Sequence, residues 1–188
     1  MLLLMLFIDQ VNKAVKLDYK NKAIFFDRDG VLNYLIKRNG GMFSPRSFAD
    51  FKLYEDVLPA INSLKSRSFL TIIISNQPDI SRLKMKKEEL KKIDKFLYDK
   101  LKIDDIFYSF ESEYVKGGSK KPSPKMIYKA QKKWKINLNH SFMVGDSIAD
   151  LECAKNANVK FILMNRNNTN IKNKITISNL NDLYKIIF

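Results

Sequence analysis

One cysteine, Cys153, and one histidine, His140, are all that the chain holds of either residue. An intrachain disulfide and a multi-cysteine zinc site are therefore excluded. His140 stands among polar residues just before an apolar run, which suits a structural or solvated role better than catalysis. Long hydrophobic runs are missing as well. The greasy opening MLLLMLFI, residues 1–8, is far too short to span a bilayer. No basic residues precede it as in a signal peptide, and residues 9–21 carry no cleavage-site pattern. The expectation is an N-terminal extension over 1–21, as an extra strand or helical turn docked on the domain or a start codon assigned too early. A domain over 22–188 and a cytoplasmic location complete it. Also lacking is any nucleic-acid reading motif to accompany the charge, which is +14 from 34 Lys and Arg against 20 Asp and Glu. The excess is mostly lysine and is spread along the chain, a compositional bias as much as a binding surface, so nucleic acid is not the expected partner. A basic surface would in any case attract anionic substrates. At 188 residues, with 45% hydrophobic and 29% charged, the composition is that of one soluble globular domain with a sizeable core.

What is present is organised around Lys22 to Asn33, KAIFFDRDGVLN. Ala23 to Phe26 reads as a short buried strand. Asp27 and Asp29 follow, and Gly30 lets the backbone turn sharply. In extended backbone, residues i and i+2 point to the same side, so both acids reach one small volume at a strand end. Such a pair can hold a divalent cation, with one acid attacking phosphorus while the other handles protons. A plain solvated turn is the competing reading. An EF-hand loop fails, because Gly30 comes too early and Arg38 stands where the closing Glu belongs.

Three further strand ends carry chemistry. Between Tyr34 and Phe51 the chain reads as a loop, too short for a cap domain, with Arg46 as a candidate phosphate contact. Asp56–Arg67 has helical periodicity, and the run FLTIII at Phe69–Ile74 is typical of a strand buried on both faces. That strand ends in Ser75-Asn76-Gln77, whose hydroxyl and amides suit a phosphate oxygen. Ser81 is placed to cap a helix over Lys86–Lys102. A third strand, Ile106–Phe110, precedes a Gly117-Gly118 loop and Lys120-Lys121-Pro122. Ser123 and Pro124 match an N-cap and first helical position. A lysine just before such a helix can bring its ammonium over a bound phosphate. A fourth strand, Ser141–Val144, runs into Gly145-Asp146-Ser147-Ile148-Ala149-Asp150. Asp150, in a first helical turn, is favourable there on electrostatic grounds alone. Asp146, at a strand tip, has a weaker structural excuse. Lys160–Met164 and Lys174–Ser178 complete the strands, before a closing helix over Asn179–Ile187. This alternation predicts an α/β fold: a mostly parallel central sheet with helices on both faces and no large cap domain.

Asp-x-Asp-Gly, Ser-Asn-Gln, Lys-Pro and Gly-Asp-Ser-x-x-Asp, in that order, resemble the haloacid dehalogenase (HAD) superfamily of phosphohydrolases, over nearly the whole chain from Lys22. FFDRDGVLN and SNQ are similar to the branch that contains D-glycero-D-manno-heptose 1,7-bisphosphate phosphatase and histidinol-phosphate phosphatase. The resemblance implies a Rossmann-like fold and a Mg2+-dependent phosphomonoester hydrolase working through an aspartyl-phosphate. Asp27 would be the nucleophile and Asp29 the acid and base. Asp27, the backbone carbonyl of Asp29, and Asp146 would hold magnesium. Ser75 and Lys121 would neutralise phosphoryl oxygens, and Asp150 would orient Lys121 or the metal's water shell. Asn76, Arg46, Arg82 and Lys120 are substrate-binding candidates. The implied partner is a small phosphorylated metabolite, a sugar bisphosphate such as heptose 1,7-bisphosphate. Histidinol phosphate, a polynucleotide 3′-phosphate, or a catalytically inactive binding module are the alternatives. Many members of the branch carry a structural zinc on a loop with three cysteines and a histidine. The matching stretch here, Ser109–Lys121, has neither residue type, so no structural zinc is expected. Tyr114 and Val115 packing and the Gly117-Gly118 turn are then expected to shape that loop.

Overall fold

The computed structural model describes residues 19–166 and 169–188. The extension expected over 1–21 lies outside these but for its last three residues. Among those, Asn21 donates its backbone N–H to the Lys135 carbonyl at 3.2 Å and bridges to Ile136.

Six parallel strands form one sheet. In chain order they are β1 (Lys22–Phe26), β4 (Phe69–Asn76), β5 (Asp105–Ser109), β6 (Phe142–Gly145), β7 (Lys160–Met164) and β8 (Thr176–Ile177). Across the sheet the order is β5-β4-β1-β6-β7-β8, so β1 lies between β4 and β6. The side-chain period of two divides these strands between two cores. Ile24 and Phe26 of β1 join Ile73, Val144 and Ile162 on one face. Ala23 and Phe25 join Ile72, Ile74, Met143 and Leu163 on the other. Strands buried on both faces read as continuous apolar runs, which is what FLTIII is.

Helices cover both faces. On the first lie α1 (Val57–Lys65), burying Val57, Ala60, Ile61 and Leu64, and α3 (Lys87–Leu101), burying Leu90, Ile93, Leu97 and Leu101. Spacings of three and four give each a single apolar stripe, and the lysines of α3 occupy its solvated face. On the second lie α4 (Lys125–Trp134) and α5 (Ile148–Asn156), which bring Met126, Ile127, Ala130, Cys153 and Ala154. Burial pushes the Cys153 thiol up to about 12, and it serves as a small core residue. At the chain's end a 3-10 turn, Leu180–Asp182, leads into α6 (Leu183–Ile187). Asp56 fastens this end: it accepts from Arg166 NH2 at 2.8 and 2.9 Å and from the Leu180 N–H at 2.7 Å.

Three expectations are corrected. Ser81 does not cap α3, because it closes a separate short helix, α2 (Pro78–Ser81), and Lys86 precedes the first turn of α3. Pro124 occupies the N-cap position of α4 rather than its first turn. The stretch read as a loop after β1 contains a hairpin, β2 (Ile36–Arg38) paired antiparallel with β3 (Gly41–Phe43). Asn39 and Gly40 form its turn with φ of 46° and 77°. An Asn-Gly pair is the strongest short hairpin signal, and here it was masked by the adjacent Gly41.

Candidate active site

Because β4, β1 and β6 are neighbours, their C-terminal ends deliver three motifs to one edge of the sheet. Asp27 leaves β1 while its N–H still bonds the Val144 carbonyl at 2.9 Å. The chain then turns at Gly30, where φ is +86° and the N–H meets the Asn33 carbonyl at 2.9 Å. Asp27, Asp29, Asn76, Lys121 and Asp146 line one pocket of about 330 Å3. Leu35, Met42 and Phe43 of the hairpin region form an apolar wall on it, with Met42 and Phe43 exposed, and Ser44 lies beside them.

Lys121 sits at the centre of the charge. Its Nζ lies 2.7 Å from Asp27 Oδ1 and 2.5 Å from Asp150 Oδ1, and its side chain is only 3% exposed. Burial works to lower the ammonium pKa, but Asp150 and Asp27 outweigh it, and the net shift is upward. Asn76 anchors this lysine's backbone from both sides. Its Oδ1 accepts from the Lys121 N–H at 2.9 Å and its Nδ2 donates to the Lys121 carbonyl at 3.3 Å. Asp150 is fully buried in a capping box with Ser147, accepting from the Ser147 N–H at 3.1 Å while Ser147 Oγ accepts from its own N–H at 3.3 Å.

Asp27 Oδ1 also accepts from the Arg28 N–H at 2.7 Å. Burial pushes Asp27 up to about 8, against the pull of Lys121 and with Asp150 and Asp146 adding to the rise. Asp146 is raised to about 7, by burial first and then by Asp150. One carboxylate oxygen from each of Asp27, Asp146 and Asp150 lies within 4.8 Å of the others. This hard, all-oxygen donor set fits a magnesium-sized cation and not a soft metal. The Asp150 carboxylate is already engaged by Lys121 and Ser147, which leaves Asp27 and Asp146 with oxygens to offer.

The remaining expected residues divide. Asp29 borders the pocket, but its carboxylate turns to Arg28, Asn33 and Gln77. Ser75 is buried, and its Oγ accepts from Gln77 Nε2 at 2.9 Å. Arg82 NH2 and Lys120 Nζ converge on the Ser112 carbonyl, at 2.7 and 2.8 Å. Arg46 Nε is paired with Asp79 Oδ2 at 2.7 Å, and none of Ser75, Arg46, Arg82 and Lys120 lines the pocket. Tyr114 and Val115, expected to pack the loop before Lys121, are exposed at 64% and 55%. Glu111 shapes that loop instead, its carboxylate accepting from the Ser119 N–H at 2.7 Å, Ser119 Oγ at 3.0 Å and the Lys120 N–H at 3.2 Å. The Gly117-Gly118 turn is present, with the Gly118 N–H on the Val115 carbonyl at 2.7 Å. The roles of Arg28 and Glu111 emerge only from the fold, since a charged residue beside Asp or in a lysine-rich loop carries no sequence signal of what it will touch.

A heptose-1,7-bisphosphate 7-phosphatase of the β anomer from Helicobacter pylori is 29% identical over 146 residues, 74% of this chain and 81% of that one. One of the α anomer from Campylobacter jejuni is 26% identical over 154 residues, covering 77% and 83%. Among solved structures, the D,D-heptose 1,7-bisphosphate phosphatase of B. bronchiseptica, complexed with magnesium and phosphate, superposes with a TM-score of 0.75 at 21% identity. That match covers 88% of this chain and 97% of the other. The family model for haloacid dehalogenase-like hydrolases matches residues 33–164, which run from the end of the Asp27–Gly30 turn through β7. With an all-parallel sheet that gathers its acids and lysine at one edge, and that match over more than half its length, the chain belongs to the haloacid dehalogenase-like hydrolase family.

Proposed function

We propose that the protein is a magnesium-dependent phosphatase that transfers a phosphoryl group to Asp27, then hydrolyses the aspartyl-phosphate. The observation that carries this reading is Lys121 Nζ, 2.7 Å from Asp27 inside a pocket that Asp29 and Asp146 also line. One oxygen of Asp27 attacks phosphorus in line, and the other, which here takes the Lys121 and Arg28 donors, is the one left for a cation. As that O–P bond forms and the ester P–O bond breaks, Asp29, protonated on an oxygen released from the donors that hold it here, gives that proton to the departing alkoxide. Water then attacks the same phosphorus, Asp29 takes its proton, and Asp27 is released. Lys121 balances charge on the phosphoryl oxygens, with Asn76 holding its backbone in place and Asp150 its ammonium. Asp27, Asp146 and the Asp29 carbonyl would hold magnesium, which when bound neutralises charge between carboxylate and phosphate.

The substrate we propose is a small sugar bisphosphate such as heptose 1,7-bisphosphate. Arg82 and Lys120, two cations sharing one carbonyl acceptor, suit the distal anionic group, whereas Arg46 is already paired. The exposed Phe43 and Met42 offer an apolar surface for the C–H face of a sugar ring. The same wall favours one second reading, histidinol phosphate, whose imidazole would stack on Phe43. Phosphate release decides between them, measured with heptose 1,7-bisphosphate, hexose monophosphates and histidinol phosphate, with magnesium and with a chelator. The sugar reading expects the bisphosphate to lead in kcat/KM, and a lead by histidinol phosphate would replace it. Magnesium-independent release, or none from any of them, would overturn the phosphatase assignment.

A further inference from the structure

Arg28, the middle residue of the first motif, heads the fully buried side chains by size, at 0% exposure. Its guanidinium doubles back onto its own neighbour. Nε donates to Asp29 Oδ1 at 3.2 Å, and NH2 lies 3.0 Å from both Oδ1 and Oδ2. Asn33 Nδ2 adds a 2.9 Å bond to Oδ1, and Gln77 Nε2 a 2.6 Å bond to Oδ2. A carboxylate offers about four lone-pair sites, so donors from three side chains fix both its oxygens in position and in plane. Behind the guanidinium stands Tyr108, whose hydroxyl donates to Asp94 Oδ1 at 2.6 Å, and the Phe51 ring lies 5.8 Å from Cζ.

This arrangement is poor as a device for stability. A buried ion pair is often matched or bettered by apolar residues of the same size, because desolvation offsets most of the attraction. Arg28 NH1 is moreover buried without a hydrogen-bond acceptor. What the pair does supply is orientation. A group that must serve a reacting atom has to be held to about 0.5 Å, and a planar, two-pronged guanidinium in a packed setting does so better than a point charge. Gln77 joins the same carboxylate to the end of β4, since its amide also bonds Ser75 Oγ at 2.9 Å.

We propose that Arg28 is a positioning residue for Asp29: with Asn33 it anchors Oδ1, so that Oδ2, once it exchanges the Gln77 amide for a proton, meets the leaving oxygen, and Arg28 itself does not touch substrate. The proposal rests on the reading of Asp29 as the acid given above.

Leaving-group dependence tests it. An alkoxide needs a proton as it departs, whereas p-nitrophenolate departs without one, so a misplaced acid penalises the alkyl ester selectively. The ratio of kcat/KM for β-glycerophosphate to that for p-nitrophenyl phosphate is measured with saturating magnesium, because kcat/KM reports only the first transfer. Asp29→Asn is expected to lower the ratio about a hundredfold and Arg28→Lys about tenfold. Joining the two changes should give no lower a ratio than Asp29→Asn alone, since Arg28 acts through Asp29. Asn33→Leu, which removes one bond to Oδ1, should shift the ratio in the same direction and carries the test if Arg28→Lys does not fold. Equal losses on both substrates in these variants, with the split intact in Asp29→Asn, would make Arg28 merely structural and overturn the proposal. No split in Asp29→Asn would instead overturn the acid reading, and the proposal with it, while leaving Asp27 as nucleophile untouched.

Discussion

A β-carbon built on Gly30 overlaps Oδ2 of Asp146, so the acid after β6 fills the space that a side chain in the turn after β1 would need. Gly30 also has φ of +86°, which L side chains adopt only under strain. One residue therefore meets two requirements, the sharp exit from β1 and the close approach of a carboxylate.

Gly30→Ala is expected to displace Asp146 and weaken magnesium binding by about 10–100-fold, the usual effect of disturbing a ligand's support. Gly40→Ala is the control, since Gly40 has φ of +77° with nothing within 4 Å of the added carbon. It should lower Tm and leave magnesium affinity alone. Titration calorimetry on both variants checks this, and equal affinities would remove the steric link.

Asp27→Asn and Asp29→Asn should each lose about a hundredfold or more in kcat, as when a nucleophile or a general acid is removed. Only proteins that keep Asp27 should take up beryllium fluoride in the presence of magnesium, read by 19F NMR. Near-normal turnover by Asp27→Asn would end its assignment as nucleophile.

Asp150→Ala should destabilise the protein by about 3–5 kcal/mol, because it strands half the charge partnership of a lysine that is 3% exposed. Loss of the Ser147 capping box adds about 1 kcal/mol. Urea unfolding should show a lower midpoint at unchanged slope. A change under 1 kcal/mol would mean that Asp27 alone suffices for Lys121.

The raised Asp27 and Asp146, at about 8 and about 7, bind more protons folded than unfolded above the ordinary value of 3.8. Their neutral forms thus favour the fold at low pH, and stability is lost as pH rises through those values. Magnesium must displace these protons, so the Tm rise that it causes should grow between about pH 6 and about pH 9. Thermal melts at fixed magnesium test this. A rise independent of pH would show that neither carboxyl holds a proton near neutrality.

Glu111 closes the loop that zinc shapes in the resembled branch, and the backbone N–H of Ser119 is the first cause of its lowered pKa. Protein purified without added zinc should contain none by metal analysis. Glu111→Ala should expose residues 111–121 to proteases and raise KM for a bisphosphate through Lys120. Stoichiometric, tightly held zinc would refute the first expectation, and an unchanged cleavage pattern the second.

The sequence was most informative where function is local. The spacing of Asp27, Asp29 and Gly30, and the acids at Asp146 and Asp150, are short patterns whose geometry follows from strand and turn alone. The apolar runs likewise marked the sheet, because a strand buried on both faces has no polar alternation to hide it. The Asn39-Gly40 hairpin is equally local, but with Gly41 and Ser44-Pro45 beside it the stretch carries loop chemistry, and only the fold turns Met42 and Phe43 toward the pocket.

Long-range pairing was a different matter. Nothing near Arg28 in the chain says that Tyr108 and Phe51 will enclose it, nor that Gln77 will reach the acid beside it. Arg46 and Arg82 looked alike as loop cations until Asp79 took one and Ser112 received the other. The sequence by itself determined which groups stand at the strand ends, because backbone geometry sets that within a few residues. Tertiary structure decided which of those charges are paired, buried or left for a ligand, because that depends on partners that meet only when the sheet has closed around β1.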